Sequence, residues 1–224
     1  MAIEEAVLES VNSGSSPSTL RLWNNSTSVI VGVADDVEKE VNVNACTSMK
    51  VPVVRRFTGG GTIYNDLGNL NWSFFVRHSH DHLWEEGIAN AYRRLSSPIV
   101  QALRSLGVQA TFHAPNALFH GHFKVSGMAM YVKRSAILCH GTLLVDADLG
   151  KLKLLLRRLK DPVENLNNLL DSRLTMSQIK QAISDEASSR SGSLVAADRL
   201  QSMEKESVLG SSLDPYQALP RKRR

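Results

Sequence analysis

Three consecutive glycines, Gly59–Gly61, lie between two strand-like runs and constrain this chain more than any other feature. Each glycine loses more backbone freedom on ordering than any other residue, so a triplet is a poor part of any helix or strand. A chain tolerates it where the backbone passes close to something. Successive N–H groups with no side chains in the way then form a concavity for an anion. Before the triplet, the apolar run Val51–Val54, with Pro52 inside it, ends in Arg55 and Arg56. After it come Thr62-Ile63-Tyr64, the polar turn Asn65-Asp66 and a strand-like run from Asn71 to Val76. If both arginines continue the strand, their side chains face opposite ways, so one of them enters a site at the glycines. The plainer reading is a flexible hairpin with a solvated basic edge, and the glycines alone do not choose between the two.

The 224 residues suit one sizeable domain plus extras, long enough to bury a core. Apolar residues at 42% and charged residues at 21% place the chain in the ordinary soluble globular class. No apolar run approaches the roughly 20 residues that span a bilayer, so no membrane association is expected. The opening Met1-Ala2-Ile3-Glu4-Glu5 is acidic and lacks the basic and apolar regions of a secretory signal, which predicts a cytoplasmic protein. Cys46 and Cys139 then read as reduced thiols. The net charge of +4 comes in part from the tail Arg221-Lys222-Arg223-Arg224. That cluster reads as a solvated chain end rather than a nucleic-acid site, and a basic balance suits an acidic protein partner.

Read in order, Ile3, Ala6, Val7 and Val11 stand at helical spacing and predict a first amphipathic helix. Leu20–Trp23 and Ser28–Val33 read as a strand–turn–strand unit, and Asp35–Asn44 as polar with a short helix. Lys50–Arg56 and Leu70–Arg77 read as strands. Asp81–Gly107 reads as helix, with Leu83, Trp84, Ile88, Ala91, Tyr92 and Leu95 apolar, and Pro98 breaking or restarting it. Val108–His113, Phe123–Val132 and Ala136–Val145 read as strands, and Asp148–Lys160 as a helix. Thr175-Met176-Ser177-Gln178 has the form of a capping box that opens a helix with Ile179 and Ile183 on one face. Residues 1–185 form one domain in this reading. Residues 186–224 are a polar, serine-rich, basic-ended tail with at most a short helix near Val195–Lys205. Strands and helices mix without strict alternation. The fold class expected is α+β, a mixed, largely antiparallel sheet with packed helices.

Four separated blocks resemble the lipoate–protein ligase family in order and spacing. They are Arg55 to Asn69, then Asn116, then Lys124-Val125-Ser126-Gly127, then His140-Gly141-Thr142-Leu143-Leu144. Trp23, Val29-Ile30-Val31-Gly32 and Glu40-Val41-Asn42 fit as well, and the likeness runs from about residue 2 to about residue 185. It implies a catalytic domain similar in fold to biotin ligases. It also implies ATP, Mg2+ and lipoate: lipoate is activated to lipoyl-AMP, then the lipoyl group passes to a lysine of a carrier domain. The carriers implied are the E2 component of 2-oxoacid dehydrogenases and the glycine cleavage H protein. By the same likeness, Arg56, Gly59, Gly60, Gly61, Thr62, Ile63, Tyr64, Asp66, Asn116, Lys124, His140, Gly141 and Thr142 bind ATP and lipoyl-AMP. Lys124 matches the family's essential lysine, held at the acyl carbonyl and the α-phosphate. On its own a strand lysine that snorkels is the blander reading. His140 reads equally as a satisfied core histidine, while Gly141 lets a ligand approach the backbone. Trp23, Val31, Trp72 and Phe74 suit either a core or a tunnel for a fatty chain.

The chain departs from the family pattern at Asn65, where the family has histidine, and at Ala117, where it has aspartate. The second change removes a carboxylate that helps hold Mg2+ and leaves the metal ligands unassigned. Members of the family commonly carry a small C-terminal accessory domain, and the short remainder after Asp185 is too poor in apolar residues to build one. A separate accessory subunit is therefore expected. Two other functions compete with the ligase. One is an octanoyl or lipoyl transferase working through an acyl-cysteine. Adjacent residues on a strand face opposite ways, so Cys139 and His140 do not pair, and position 117 lacks the transferases' cysteine. The other is a catalytically weak lipoate- or nucleotide-binding module, supported by the losses at Asn65 and Ala117. His78, His80 and His82, with His113, His120 and His122, offer a remote zinc site, against a bland reading as loop histidines.

Overall fold

The computed structural model describes residues 2–78, 87–190 and 195–196. Along them run α1 (Ala2–Ser13), β1 (Thr19–Trp23), β2 (Ser28–Val31), α2 (Val37–Glu40), α3 (Val43–Ser48), β3 (Val53–Arg55), β4 (Ile63–Asn65), β5 (Asn69–Arg77) and α4 (Ile88–Ser105). There follow β6 (Ala110–His113), β7 (Ala117–His120), β8 (Phe123–Val132), β9 (Ala136–Leu144), α5 (Leu149–Leu155), α6 (Met176–Arg190) and β10 (Val195–Ala196).

Strand alternation organises the molecule. On β5, Leu70, Trp72 and Phe74 join one buried cluster and Phe75 joins another; on β9, Cys139 and Leu143 join the first and Leu138 the second. Successive side chains on a strand point to opposite faces, so each strand feeds two layers. The first layer is the main core, where Tyr92, Ile99 and Leu103 of α4 and Ile179 and Ile183 of α6 cover the sheet. On the other face Val7, Leu8 and Val11 of α1 pack against Phe75, Ala136 and Leu138. The strands lie in the order β10-β1-β5-β9-β8-β7-β6, antiparallel except for the β1–β10 pair. A second sheet, β3-β2-β4, pairs β2 with β3 in parallel and with β4 antiparallel, and it has its own core of Val29, Val31, Tyr64 and Leu155. The α+β class and the largely antiparallel sheet expected from the sequence are what the chain forms.

Several elements differ from the expected ones for identifiable reasons. Helix α4 continues through Pro98 instead of restarting there. The carbonyl that a residue 98 amide would have bonded belongs to Arg94, and the Ser97 hydroxyl donates to it at 2.8 Å. Its first described residue is Ile88, so the expected start at Asp81, with Leu83 and Trp84, lies outside the described residues. The helix expected over Asp148–Lys160 ends at Leu155, because Leu156 turns to bridge Val41. The strand β7 was not anticipated; it pairs with both β6 and β8. Val195–Ala196 form a strand against β1 where a short helix was expected, and the rest of that stretch lies outside the described residues. The capping box is present: the Thr175 amide donates to Gln178 Oε1 at 2.9 Å and the Gln178 amide to Thr175 Oγ1 at 3.2 Å.

The turn between β4 and β5 is fixed by close approach. The Gly68 carbonyl accepts from the amides of Val145 and Asp146 at 3.2 and 3.0 Å. A Cβ at Gly68 would stand 2.1 Å from the Asp146 carbonyl oxygen. Gly68→Ala should therefore destabilise the fold by about 3 kcal/mol, the upper end of ordinary overpacking. A lowered denaturant midpoint at unchanged slope is the expected reading.

Candidate active site

The two sheets leave between them a cavity of about 580 Å³, the size of a small-molecule site. The glycine loop, residues 59–61, forms one wall, and Asn116 with Lys124, Ser126, Gly127, Met128 and Ala129 of β8 lines another part. His140, Gly141 and Thr142 of β9, Asn71 of β5 and Trp23 of β1 complete the interior. Arg158, Leu159, Lys160, Asp161 and Val163, from the segment after α5, also line it.

Arg56 explains the shape of the loop. Its guanidinium is buried, and Nη2 donates to the carbonyls of Gly59 and Gly61 at 2.6 and 2.9 Å. Nε donates to Thr58 Oγ1 at 3.1 Å. Arg55 turns the other way, as strand geometry requires, and donates to the carbonyls of Gly32 at 2.7 Å and Asp35 at 2.9 Å. One arginine thus enters the site and the other fastens the loop after β2. With the carbonyls of Gly59 and Gly61 drawn inward, no hydrogen bond among the described residues takes the amides of Gly59, Gly60 or Gly61. Gly60 has φ +83, and a Cβ there would stand 3.0 Å from Arg56 Nη2. Gly32 is needed for a related reason: its Cβ would lie 2.1 Å from the Gly60 carbonyl oxygen. At Gly59 and Gly61 a Cβ would meet open space.

Lys124 projects from β8 over Gly127, with Cε 3.5 Å from where a Cβ of Gly127 would be, and Nζ donates to Asp161 Oδ2 at 2.9 Å. The backbone beside it is held too. Its amide donates to the Pro162 carbonyl at 2.8 Å, and its carbonyl accepts from Glu164 at 3.3 Å. Asn116 fixes the neighbouring strand, with Nδ2 donating to the Met128 carbonyl at 2.6 Å. Two buried polar atoms of cavity-lining residues, Asn65 Oδ1 and Ser126 Oγ, have no partner among the described residues.

Most sequence-nominated residues meet here. Arg56, Gly59, Gly60, Gly61, Thr62, Ile63, Tyr64, Asn116, Lys124, His140, Gly141 and Thr142 all line the cavity. Asp66 does not. It accepts from the Tyr64 hydroxyl at 2.9 Å and from the amides of Gly68 and Asp148 at 2.8 and 2.9 Å, so it ties together the turns after β4 and β9. Gly141 lines the cavity, and its small size has a further use on the core side, where a Cβ would lie 2.6 Å from the Trp72 ring. Of the four residues that suited either a core or a tunnel, Trp23 lines the cavity, while Val31, Trp72 and Phe74 are core. Both thiols are buried, and burial pushes Cys139 well above the ordinary thiol range. Neither lines the cavity. The histidines build no metal site among the described residues. His113 stacks on Phe119, and His120 Nδ1 accepts from the Gln109 amide. His80 and His82 lie outside the described residues.

The sequence reading missed Glu4, Asp35 and Asp161, each of which lines the cavity. Asp35 accepts from the Thr62 hydroxyl at 3.2 Å. Glu4, on α1, is buried; it accepts from Ser73 Oγ at 2.5 Å and lies 3.5 Å from His140 Nδ1. A glutamate at an inward position of an amphipathic helix, flanked by Ile3, Ala6 and Val7, was the available signal.

The model of the lipoyl protein ligase A/B catalytic domain matches residues 1–188. A lipoate-protein ligase A relative from Aeropyrum pernix is 37% identical over 153 residues, 68% of this chain and 55% of the relative. Lipoate-protein ligase A subunit 1 of Thermoplasma acidophilum is 32% identical over 167 residues, 70% of this chain and 62% of the relative. The chain spans about half the length of the curated relatives it matches. A Thermoplasma acidophilum lipoate protein ligase structure with bound lipoic acid superposes with a TM-score of 0.81 at 26% identity, covering 93% of this chain and 87% of that one.

Burial works to raise the Glu4 carboxyl, but His140, the Ser73 hydroxyl and the charge of Arg21 overcome it and bring it down to about 2. A depressed carboxylate stabilises the fold above its unfolded value, and that contribution is lost as pH falls through the folded one. Between pH of about 4.5 and about 2, wild-type stability should fall more steeply than that of Glu4→Gln. Urea midpoints along that range check it, and parallel slopes would refute the assignment.

Proposed function

The chain belongs to the lipoyl protein ligase A/B catalytic-domain family, and we propose from that premise that it activates lipoate with ATP and transfers the lipoyl group to a carrier lysine. Residues 1–185 carry this chemistry. The observation that supports the reading most is the pairing, in one cavity, of the Arg56-braced glycine loop with the Lys124 ammonium. The reactive groups of an acyl phosphate need both: N–H donors and positive charge for the phosphates, and a cation between phosphate and carbonyl.

In the first step a lipoate carboxylate oxygen attacks the α-phosphorus of ATP, the bond to the β-phosphate breaks, and pyrophosphate leaves. In the second, the neutral carrier amine attacks the acyl carbon, AMP leaves, and the amine proton is lost to solvent or phosphate. Negative charge builds near Lys124 in both steps, and a positioned donor there is typically worth about 10²–10³ in rate. Lys124 must first part from Asp161. The two side chains are 28% and 35% exposed, which weakens the pair by solvent screening and eases the exchange. Mg2+ fits as a companion of ATP, because it takes few protein ligands. Asp35, beside the glycine loop and with its carboxylate hydrogen-bonded by the Thr62 hydroxyl, would hold it. Its chemistry is to neutralise phosphate charge.

The carriers fitting this reading are the lipoyl domains of 2-oxoacid dehydrogenase E2 and the glycine cleavage H protein. A separate accessory subunit would complete the enzyme, a reading supported by the likeness to a relative named as subunit 1. The anhydride must be kept from water, and a second polypeptide over the cavity would do so.

Lys124→Ala in a folded chain should abolish lipoylation of a carrier domain by ATP and lipoate. Wild-type turnover in that variant would overturn the role given to Lys124. The unaltered chain alone should release pyrophosphate slowly yet transfer from pre-made lipoyl-AMP, and release near 10 s⁻¹, the common enzyme median, would remove the need for a second subunit.

A thiol route finds no support in this cavity, since Cys46 and Cys139 are buried and Cys139 faces the α4 core. Cys46→Ser with Cys139→Ser should keep full lipoylation by mass spectrometry. An acyl-thioester trapped on either cysteine would favour the transferase.

A further inference from the structure

Glu4 and Arg56 are opposite charges that share the buried floor of the cavity without touching. Their relative exposures are 2% and 4%. Buried charges are costly unless paired or fully hydrogen-bonded, and two side chains stand between these. Arg56 Nε donates to Thr58 Oγ1 at 3.1 Å, Thr58 Oγ1 meets His140 Nε2 at 2.8 Å, and His140 Nδ1 lies 3.5 Å from Glu4 Oε1. The direction of the chain follows from its ends. A guanidinium only donates and a carboxylate only accepts. Arg56 therefore donates its Nε–H to the Thr58 oxygen as a hydrogen bond, and His140 turns Nδ1–H toward Glu4. Beyond Arg56 the same guanidinium holds the carbonyls of Gly59 and Gly61.

We propose that Glu4 is a positioning residue for the glycine loop. It acts through His140, Thr58 and Arg56, so that the first helix sets the geometry of the amides that meet a nucleotide's phosphates. This rests on the reading of the loop as the nucleotide site. Chains of hydrogen bonds polarise one another at low dielectric, and here a cation and an anion stand at the two ends. Arg21 adds positive charge near Glu4, and Asp35 and Tyr92 act on Arg56. None of these three is part of the chain from Glu4 to Arg56. Thr58 is fully buried and does not line the cavity, so an effect of changing it on ligand binding must pass through its neighbours.

The test uses the full chain, calorimetric titration with MgATP, and amide spectra of the ligand-free protein. Glu4→Gln keeps the side chain's size and its bond from Ser73; Thr58→Val removes the central hydroxyl; Thr58→Ser restores it. The first two should each move the Gly59–Gly61 amide signals and weaken MgATP about tenfold, the effect of one lost charge-assisted hydrogen bond. Thr58→Ser should behave as wild type. Since both changes break one chain, the double variant should lose about tenfold again in total rather than about a hundredfold. Multiplied losses, or unmoved glycine signals in Glu4→Gln, would overturn the proposal. Should Glu4→Gln not fold, the contrast between Thr58→Val and Thr58→Ser decides. Should the wild type not bind MgATP, the nucleotide reading fails by itself, and the glycine signals alone decide whether the relay exists.

Discussion

A single buried guanidinium holds the site together. Arg56 bonds the carbonyls of Gly59 and Gly61, and those contacts turn a sequence with almost no conformational preference into a defined loop. The loop is tight enough that the Gly60 carbonyl oxygen would lie only 2.1 Å from a Cβ on Gly32. The small sheet β3-β2-β4 is therefore not a separate layer that happens to lie nearby. The Arg56 amide is bonded to Val31 at 2.9 Å and the Val33 amide to Thr58 at 2.9 Å, which carries the strand pairing of the small sheet directly into the wall of the cavity.

Alternation on β5 and β9 then decides what the cavity is made of. Trp72, Phe74, Cys139 and Leu143 go to the helix-covered core. Asn71, His140 and Thr142, on the opposite face, line the cavity. Ser73 shares that second face and meets Glu4 of α1. Gly141, between His140 and Thr142, belongs to the core face, where the Trp72 ring fills the space a side chain would take. The same period-two rule thus places a thiol and an imidazole one residue apart on opposite sides of a sheet. That separation is why Cys139 and His140 do not form a nucleophile and base.

What was legible in the sequence was whatever local chemistry fixes. The glycine triplet, the opposed arginines, the capping box at Thr175 and the strand faces of β5 and β9 follow from rules that act over a few residues. The meeting of Lys124, Asn116 and His140 with the loop was implied only by the resemblance of the four blocks to one family. What was not legible depends on partners far along the chain. Asp66 holds the Asp148 amide, 82 positions away, and Glu4 meets Ser73, 69 positions away. No local pattern marks either pairing. At Pro98 helix α4 continues, with the Arg94 carbonyl taking the Ser97 hydroxyl in place of the missing amide, and propensity alone cannot register that. Asp161 was hidden for a related reason. It lies in an irregular segment held by pairings far along the chain, Leu156 to Val41 and Val163 to Lys124.

That segment changes how the lysine must be understood. The Lys124 ammonium does not wait as a bare charge; Asp161 already occupies it at 2.9 Å. Any acid or phosphate that binds there exchanges one anion for another, so the binding free energy is a difference between two ion pairs. A ground-state carboxylate gains little by replacing a carboxylate. A phosphorus centre that gathers negative charge as it is attacked gains more, because Asp161 offers nothing that grows with it. The cost of parting Lys124 from Asp161 is common to a bound ground state and its transition state, so the internal partner would lower affinity and leave turnover to the interactions that grow as charge builds.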